Sequence, residues 1–154
     1  MATSSTNEFS SADVKKLKHL RSALLEGIKK CGEVVHAKSG MAGKTIIHLK
    51  QQSLQYVNEL NAQITVLSSS DVNNMETINE QPEDKINEHK EKTPEQFVLK
   101  LCRKMDISVI GVYRKILKDK LMNESLKRMM RYQMDGMMQT TLQLKLLSKF
   151  LHDQ

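Results

Sequence analysis

Few side chains in this chain have the type and spacing that chemistry needs. Glu33-Val34-Val35-His36 is a Glu-x-x-His motif, the unit that gives a dinuclear metal site inside a helical bundle one carboxylate and one imidazole. Such a site takes two of these motifs and a Glu from each of two further helices, all on one inward face. Glu59 and Asp106 could serve as single carboxylates, but the C-terminal half has no His between His89 and His152. Half a site binds one ion weakly. The expectation is therefore that Glu33 and His36 are exposed at the end of a helix and that no metal or other cofactor is held; if one is, Glu33, His36, Glu59 and Asp106 are its ligands.

Other motifs are weaker. Gly43-Lys44-Thr45 has the ending of a phosphate-binding loop, but that motif's first Gly falls at Lys38, and a helix precedes where a strand is required. Gly43 as a turn residue and Thr45 as a helix cap are the expected roles. Cys31 and Cys102 lie in apolar helical patterns, where a thiol packs as a small hydrophobe, and two isolated Cys make neither a disulfide framework nor a metal clip. His19, His36, His48, His89 and His152 are scattered, so no nucleophile–base pair is recognisable. The chain is expected not to be an enzyme.

Ten Met occur, six of them between Met122 and Met138. Thioethers form adaptable packing surfaces. Met130 and Met137 fall at core positions, whereas Met129, Met134 and Met138 are candidates for a subunit interface. From Thr93 onward twelve Lys and Arg face six acids, and a basic stripe attracts phosphate. Aromatic stacking residues are nearly missing, so Lys100, Arg103, Lys104, Arg114, Lys115, Lys127, Arg128 and Arg131 read as a solvated face rather than a nucleic-acid site.

Composition limits the scaffold. The 154 residues carry 24 Lys and Arg against 18 acids, a charge of +6, with 39% hydrophobic and 4% aromatic residues. That is one domain, long enough to bury roughly 68–70% of the surface of its unfolded chain. Six Gly and two Pro are too few for the turns of a sandwich or barrel, and long helices are expected. No run approaches the ~18 apolar residues of a membrane span, and the N-terminus lacks the apolar core of a secretory signal. A reducing cytoplasm follows from the Cys usage.

Four amphipathic segments would do the positioning. Residues 1–9 are expected to be a disordered tail. A first helix, about 11–38, opens at Ser10 or Ser11 with Asp13 in its first turn and carries Val14, Leu17, Leu24, Ile28, Cys31 and Val35, interrupted by Arg21. Gly40 and Gly43 reverse the chain. A second helix, about 45–67, turns Ile46, Ile47, Leu49, Leu54, Tyr56, Val57, Leu60, Ile64 and Leu67 inward, with Lys50, Asn58, Asn61 and Gln63 outward. Residues 68–92 hold three Lys against seven acids and form an acidic linker, with room for a short solvated helix near Glu83 to Lys90. Thr93-Pro94-Glu95-Gln96 then caps a third helix, about 94–119. A fourth, about 123–151, places Leu126, Met130, Met137, Leu144, Leu147 and Leu151 in heptad core slots, with Gln133 and Thr140 filling two more. The polar candidates Gln133, Thr140, Ser53 and Ser108 are expected to hydrogen-bond one another across the bundle.

The segments QQSLQYVNELNAQITVLSSS, CRKMDISVIGVYRKILKDKL and MMRYQMDGMMQTTLQLKLL resemble a bacterial family of ferritin-like four-helix-bundle domains of unknown function. The resemblance covers most of the chain outside the linker. Its motifs map here onto Gln52, Ser53, Tyr56, Glu59 and Leu60 in the second helix, Cys102, Asp106 and Tyr113 in the third, and a core Gln at Gln133. The family's aromatic-rich crossover is replaced here by the acidic linker, and its His in the fourth helix falls at Thr141. The resemblance implies a ferritin-like fold and a part in bacterial stress adaptation.

The sequence thus predicts an all-α, antiparallel four-helix bundle of ferritin-like type, built of two helical hairpins joined by a long crossover, within one domain over 10–154. The predicted role is non-catalytic, through self-association as a dimer or through a protein partner, with no membrane contact. A degenerate metal-binding, oxidase-like protein and a weak nucleic-acid binder are the alternatives.

Overall fold

The structure, a computed structural model, describes residues 3–35, 40–68 and 94–151. These residues form α1 (Thr3–Val35), α2 (Gly40–Leu67), α3 (Pro94–Met105), a π-helical turn (Asp106–Ile110), α4 (Gly111–Leu117) and α5 (Glu124–Leu151), with no strand among them. Met105, Ile110 and Gly111 all keep right-handed helical backbone, so α3, the π turn and α4 make one continuous rod. Four rods therefore pack together: α1 lies against α2 and the α3–α4 rod, and α5 lies against the same two. His36, the acidic linker apart from Ser68, the short helix near Glu83 to Lys90, the Thr93 cap and His152 lie outside the described residues.

Two boundaries differ from the sequence expectation. Helix α1 starts at Thr3, so residues 3–9 are helix rather than disordered tail, and Asp13 sits inside the helix instead of near its start. The segment TSSTNEFSS contains no Gly or Pro that would break the helical run. Helix α2 begins at Gly40, whose φ of 83° is the left-handed conformation that glycine adopts without penalty. One glycine suffices for this entry, and Gly43 is a buried helical residue. Thr45 consequently does not cap: its Oγ1 donates to the Met41 carbonyl at 2.9 Å, one turn back. Gly43-Lys44-Thr45 thus lies within a helix, where no loop of amides can cradle phosphate.

The turn into α5 is fixed by two short side chains. The Asp119 carboxylate accepts from the Leu121 amide at 2.9 Å, and Asn123 Oδ1 accepts from the Ser125 amide at 2.7 Å, the second being a helix N-cap in the preferred geometry.

Core positions follow the predicted stripes. Leu17, Leu20, Leu24, Ile46, Leu49, Leu60, Met105, Met130, Met137 and Leu144 are fully buried in one cluster, each contributing about 1.5–3 kcal/mol by leaving water. The π turn brings Val109 and the neighbouring Ile110 inward together, which the tighter α-helical turn does less readily; the Gly111 amide donates to the Asp106 carbonyl five residues back. Ile47, predicted inward, is 45% exposed, and Lys127, predicted outward, is buried. Arg21, which interrupts the stripe of the first helix, is buried there and donates to Asn61 Oδ1 at 2.8 Å. The long aliphatic stems of Arg and Lys can cover apolar surface, which lets these residues occupy helix flanks.

Candidate functional site

A chain of polar side chains crosses the interior from α4 through α5 to α2. The fully buried Tyr113 hydroxyl donates to Gln133 Oε1 at 2.8 Å, and Gln133 Nε2 donates to Glu59 Oε1 at 2.9 Å. Gln55 Nε2 completes the line by donating to Glu59 Oε2 at 3.1 Å. Beside it Gln52 hydrogen-bonds the Tyr56 hydroxyl, and Gln52 Oε1 is buried with no hydrogen-bond partner among the described residues. Both phenols are held above their ordinary range, Tyr113 strongly. Burial is the main cause, and negative charge on Glu59 adds to it. They are therefore neutral hydrogen-bonding groups at every physiological pH.

Gly136 makes this arrangement possible. A Cβ at that position would lie 2.2 Å from the Tyr56 hydroxyl oxygen and 3.0 Å from Gln52 Nε2, so α5 approaches the α2 side chains only because residue 136 has none.

The other polar core candidates act locally. Ser53 Oγ donates to the Leu49 carbonyl at 2.8 Å and lies 3.6 Å from Met137 Sδ, Thr140 donates to the Gly136 carbonyl, and Thr141 to the Met137 carbonyl. Ser108 is half-buried. The predicted mutual bonding among Gln133, Thr140, Ser53 and Ser108 does not occur. A hydroxyl one carbon from the backbone reaches its own preceding turn more readily than another helix, whereas the Gln133 amide spans the gap.

The candidate metal ligands are engaged separately. Glu33 accepts from Lys30 at 3.3 Å, Asp106 is paired with Lys145 at 2.5 Å, and Glu59 is held by Gln133 and Gln55. No group of three or more His, Cys, Asp or Glu side chains among the described residues is close enough to hold a metal ion. Of the residues described, then, the donor set does not fit a dinuclear carboxylate centre. Both Cys are buried and unbridged. Burial pushes the Cys31 thiol up to about 12, with Cys102 adding to it and Lys50 opposing; burial likewise pushes Cys102 up to about 11, against the pull of Lys145. Neither supplies a thiolate nucleophile near neutrality.

The α5 surface carries the other unusual feature. Of the three interface candidates, Met129 and Met134 are partly buried against the core and Met138 is exposed, at 37%. On the solvent side of the same helix Leu142 is 57% and Leu146 50% exposed. These two leucines lie off the heptad core slots, which is the sequence signal that marks them. Of the basic residues, Lys100, Arg103, Arg114, Lys115, Arg128 and Arg131 are exposed, Lys104 is half-buried and Lys127 buried. No helix among the described residues is long and apolar enough to cross a membrane. Comparison with protein-family models, with curated proteins and with solved structures finds no match to this chain.

Proposed function

We propose that this chain is a non-catalytic bundle of antiparallel, ferritin-like arrangement that acts by self-association or by binding a partner protein through the outward face of α5. The antiparallel arrangement is supported by residue pairs that run in opposite order along neighbouring helices. Lys16 meets Asp119 while Gly27 faces Met105 across α1 and the α3–α4 rod, and Glu59 meets Gln133 while Ser53 meets Met137 across α2 and α5. The non-catalytic reading is supported by buried, protonated thiols and by carboxylates already occupied by Lys and Gln partners. A reducing cytoplasm suits the two unbridged thiols.

The observation that carries the reading is the ridge Met138, Leu142 and Leu146. Each residue is four from the next, so they adjoin along one helix face, and all three point to solvent although the core is filled without them. Apolar residues kept in a row on a surface mark contact sites rather than folding determinants. The test is the double substitution Leu142→Glu with Leu146→Glu. At low micromolar concentration its unfolding free energy should match the parent within about 0.5 kcal/mol. A loss of several kcal/mol would mean that the leucines serve the core, and the reading would fail.

A further inference from the structure

The α5 ridge has a symmetry that selects its occupant. Asp135, Met138, Leu142, Leu146 and Lys149 are all exposed and are spaced by three, four, four and three residues, an order that reads the same in both directions. At ~100° per residue they fall within a sector of about 80° centred on Leu142, over a length of about 21 Å. The ends differ in charge: Asp135 is acidic, Lys149 is basic, and neither has an ion pair among the described residues. A surface that binds itself about a twofold axis must be complementary to its own reversed copy. This one is, because reversal about Leu142 lays Met138 on Leu146, Leu146 on Met138, Asp135 on Lys149 and Lys149 on Asp135.

We propose that the occupant of this face is a second copy of the same chain, with the two α5 helices packed antiparallel, Leu142 on the twofold axis and Asp135 of each copy paired with Lys149 of the other. This rests on the reading of the α5 face as an association surface and adds its partner, direction and register. A foreign helix would have no reason to meet a palindromic spacing with opposite charges at its two ends, whereas a symmetric dimer satisfies both. One helix pair is a contact of at most about 1,200 Å², in the range of weak interfaces, so dissociation in the micromolar range is expected and the dimer is studied at about 500 µM.

The register is tested by cross-linking. On the axis, the two copies of residue 142 face each other across helices about 8–10 Å apart, within reach of a disulfide. The two copies of residue 146 are offset by eight residues, about 12 Å, which is out of reach. With a mild oxidant, Leu142→Cys should convert to covalent dimer while Leu146→Cys and the parent, whose own Cys are buried, should not. Sedimentation supplies an independent arm. By symmetry Asp135→Lys replaces two attractive pairs with two repulsive ones and should weaken the dimer about tenfold. Lys149→Asp should do the same, and the two together should restore the parent affinity within about twofold.

A parent chain that is monomeric at 500 µM overturns the proposal. Equal cross-linking at 146 and 142, or a double charge swap that fails to restore association, overturns the register. The stability of the Leu142→Glu, Leu146→Glu variant decides the underlying reading separately, so the two failures are distinguishable.

Discussion

Gly136 is the position where a single methyl group tests the packing most sharply. In an exposed helix Gly→Ala gains about 1 kcal/mol of helix stability. Here the new Cβ would meet the Tyr56 hydroxyl oxygen at 2.2 Å, more than 1 Å inside any van der Waals contact, and that oxygen ends a rigid, buried ring. The ring must move, with the Gln52 bond lost at about 1 kcal/mol and overpacking costing about 1–3 kcal/mol more. Gly136→Ala should therefore be destabilising by about 1–3 kcal/mol net, a fall in Tm of roughly 2–12 °C for a chain of this length. Tyr56→Phe removes the obstructing oxygen and leaves the ring Cζ at 3.4 Å, so Tyr56→Phe with Gly136→Ala should be more stable than Gly136→Ala alone. Gly27→Ala is the comparison: its Cβ meets Met105 Sδ at 2.9 Å, the end of a flexible thioether that can yield, and its net effect should be within about 1 kcal/mol. Urea unfolding monitored by circular dichroism reads the three variants against the parent. A neutral or stabilising Gly136→Ala, or no rescue by Tyr56→Phe, would refute the argument that this glycine sets the α2–α5 approach.

Two further outcomes follow from the buried groups. Gln133→Met keeps the volume but leaves the Tyr113 hydroxyl and Glu59 without their shared partner; it should cost about 1–3 kcal/mol, with Tyr113→Phe recovering part of it, and a cycle with no coupling between the two would contradict the hydrogen-bonded line. Stability should also fall at alkaline pH. The folded-state values of Cys31 and Cys102, near 12 and 11, are raised above those of the unfolded chain, so the protein holds these protons more tightly when folded. Their contribution is complete below about pH 8.5 and is lost as pH rises toward 11–12. The urea midpoint should drop between pH 8 and 10.5, less steeply in Cys31→Ala, and equal slopes in the two proteins would contradict the assignment.

Much of the bundle was legible because burial and period agree. Leu17, Leu24, Met130 and Met137 recur at core spacing and are buried, and Gln133 and Thr140, polar residues in heptad slots, do face inward. Asn123 and Asp119 are short acceptors at the break between the third and fourth helical segments, where capping chemistry is local. What stayed hidden depends on partners distant in sequence. Gly40 and Gly43 look alike until the chain shows which one takes the positive φ, and the contact between Gly136 and Tyr56 spans eighty residues. The π turn leaves no mark because DISVI has no breaker, only two adjacent apolar residues that the wide turn can bury. Met129 and Met134 flank the heptad slots and are drawn partly into the core, while Leu142 and Leu146, further around the helix, are left exposed. The four candidate metal ligands were legible as residue types only, since Lys30, Lys145, Gln55 and Gln133, which occupy three of them, come from several helices.

Native mass spectrometry of protein purified without chelators, sprayed from concentrated solution, weighs the assembly and any bound metal at once. A metal-free species at twice the 17.6 kDa of the chain, reduced to the single chain by Leu142→Glu with Leu146→Glu, is the predicted result. A 17.6 kDa species alone at that concentration would contradict self-association through α5, and one carrying a stoichiometric transition metal would replace an interaction bundle with a metal protein.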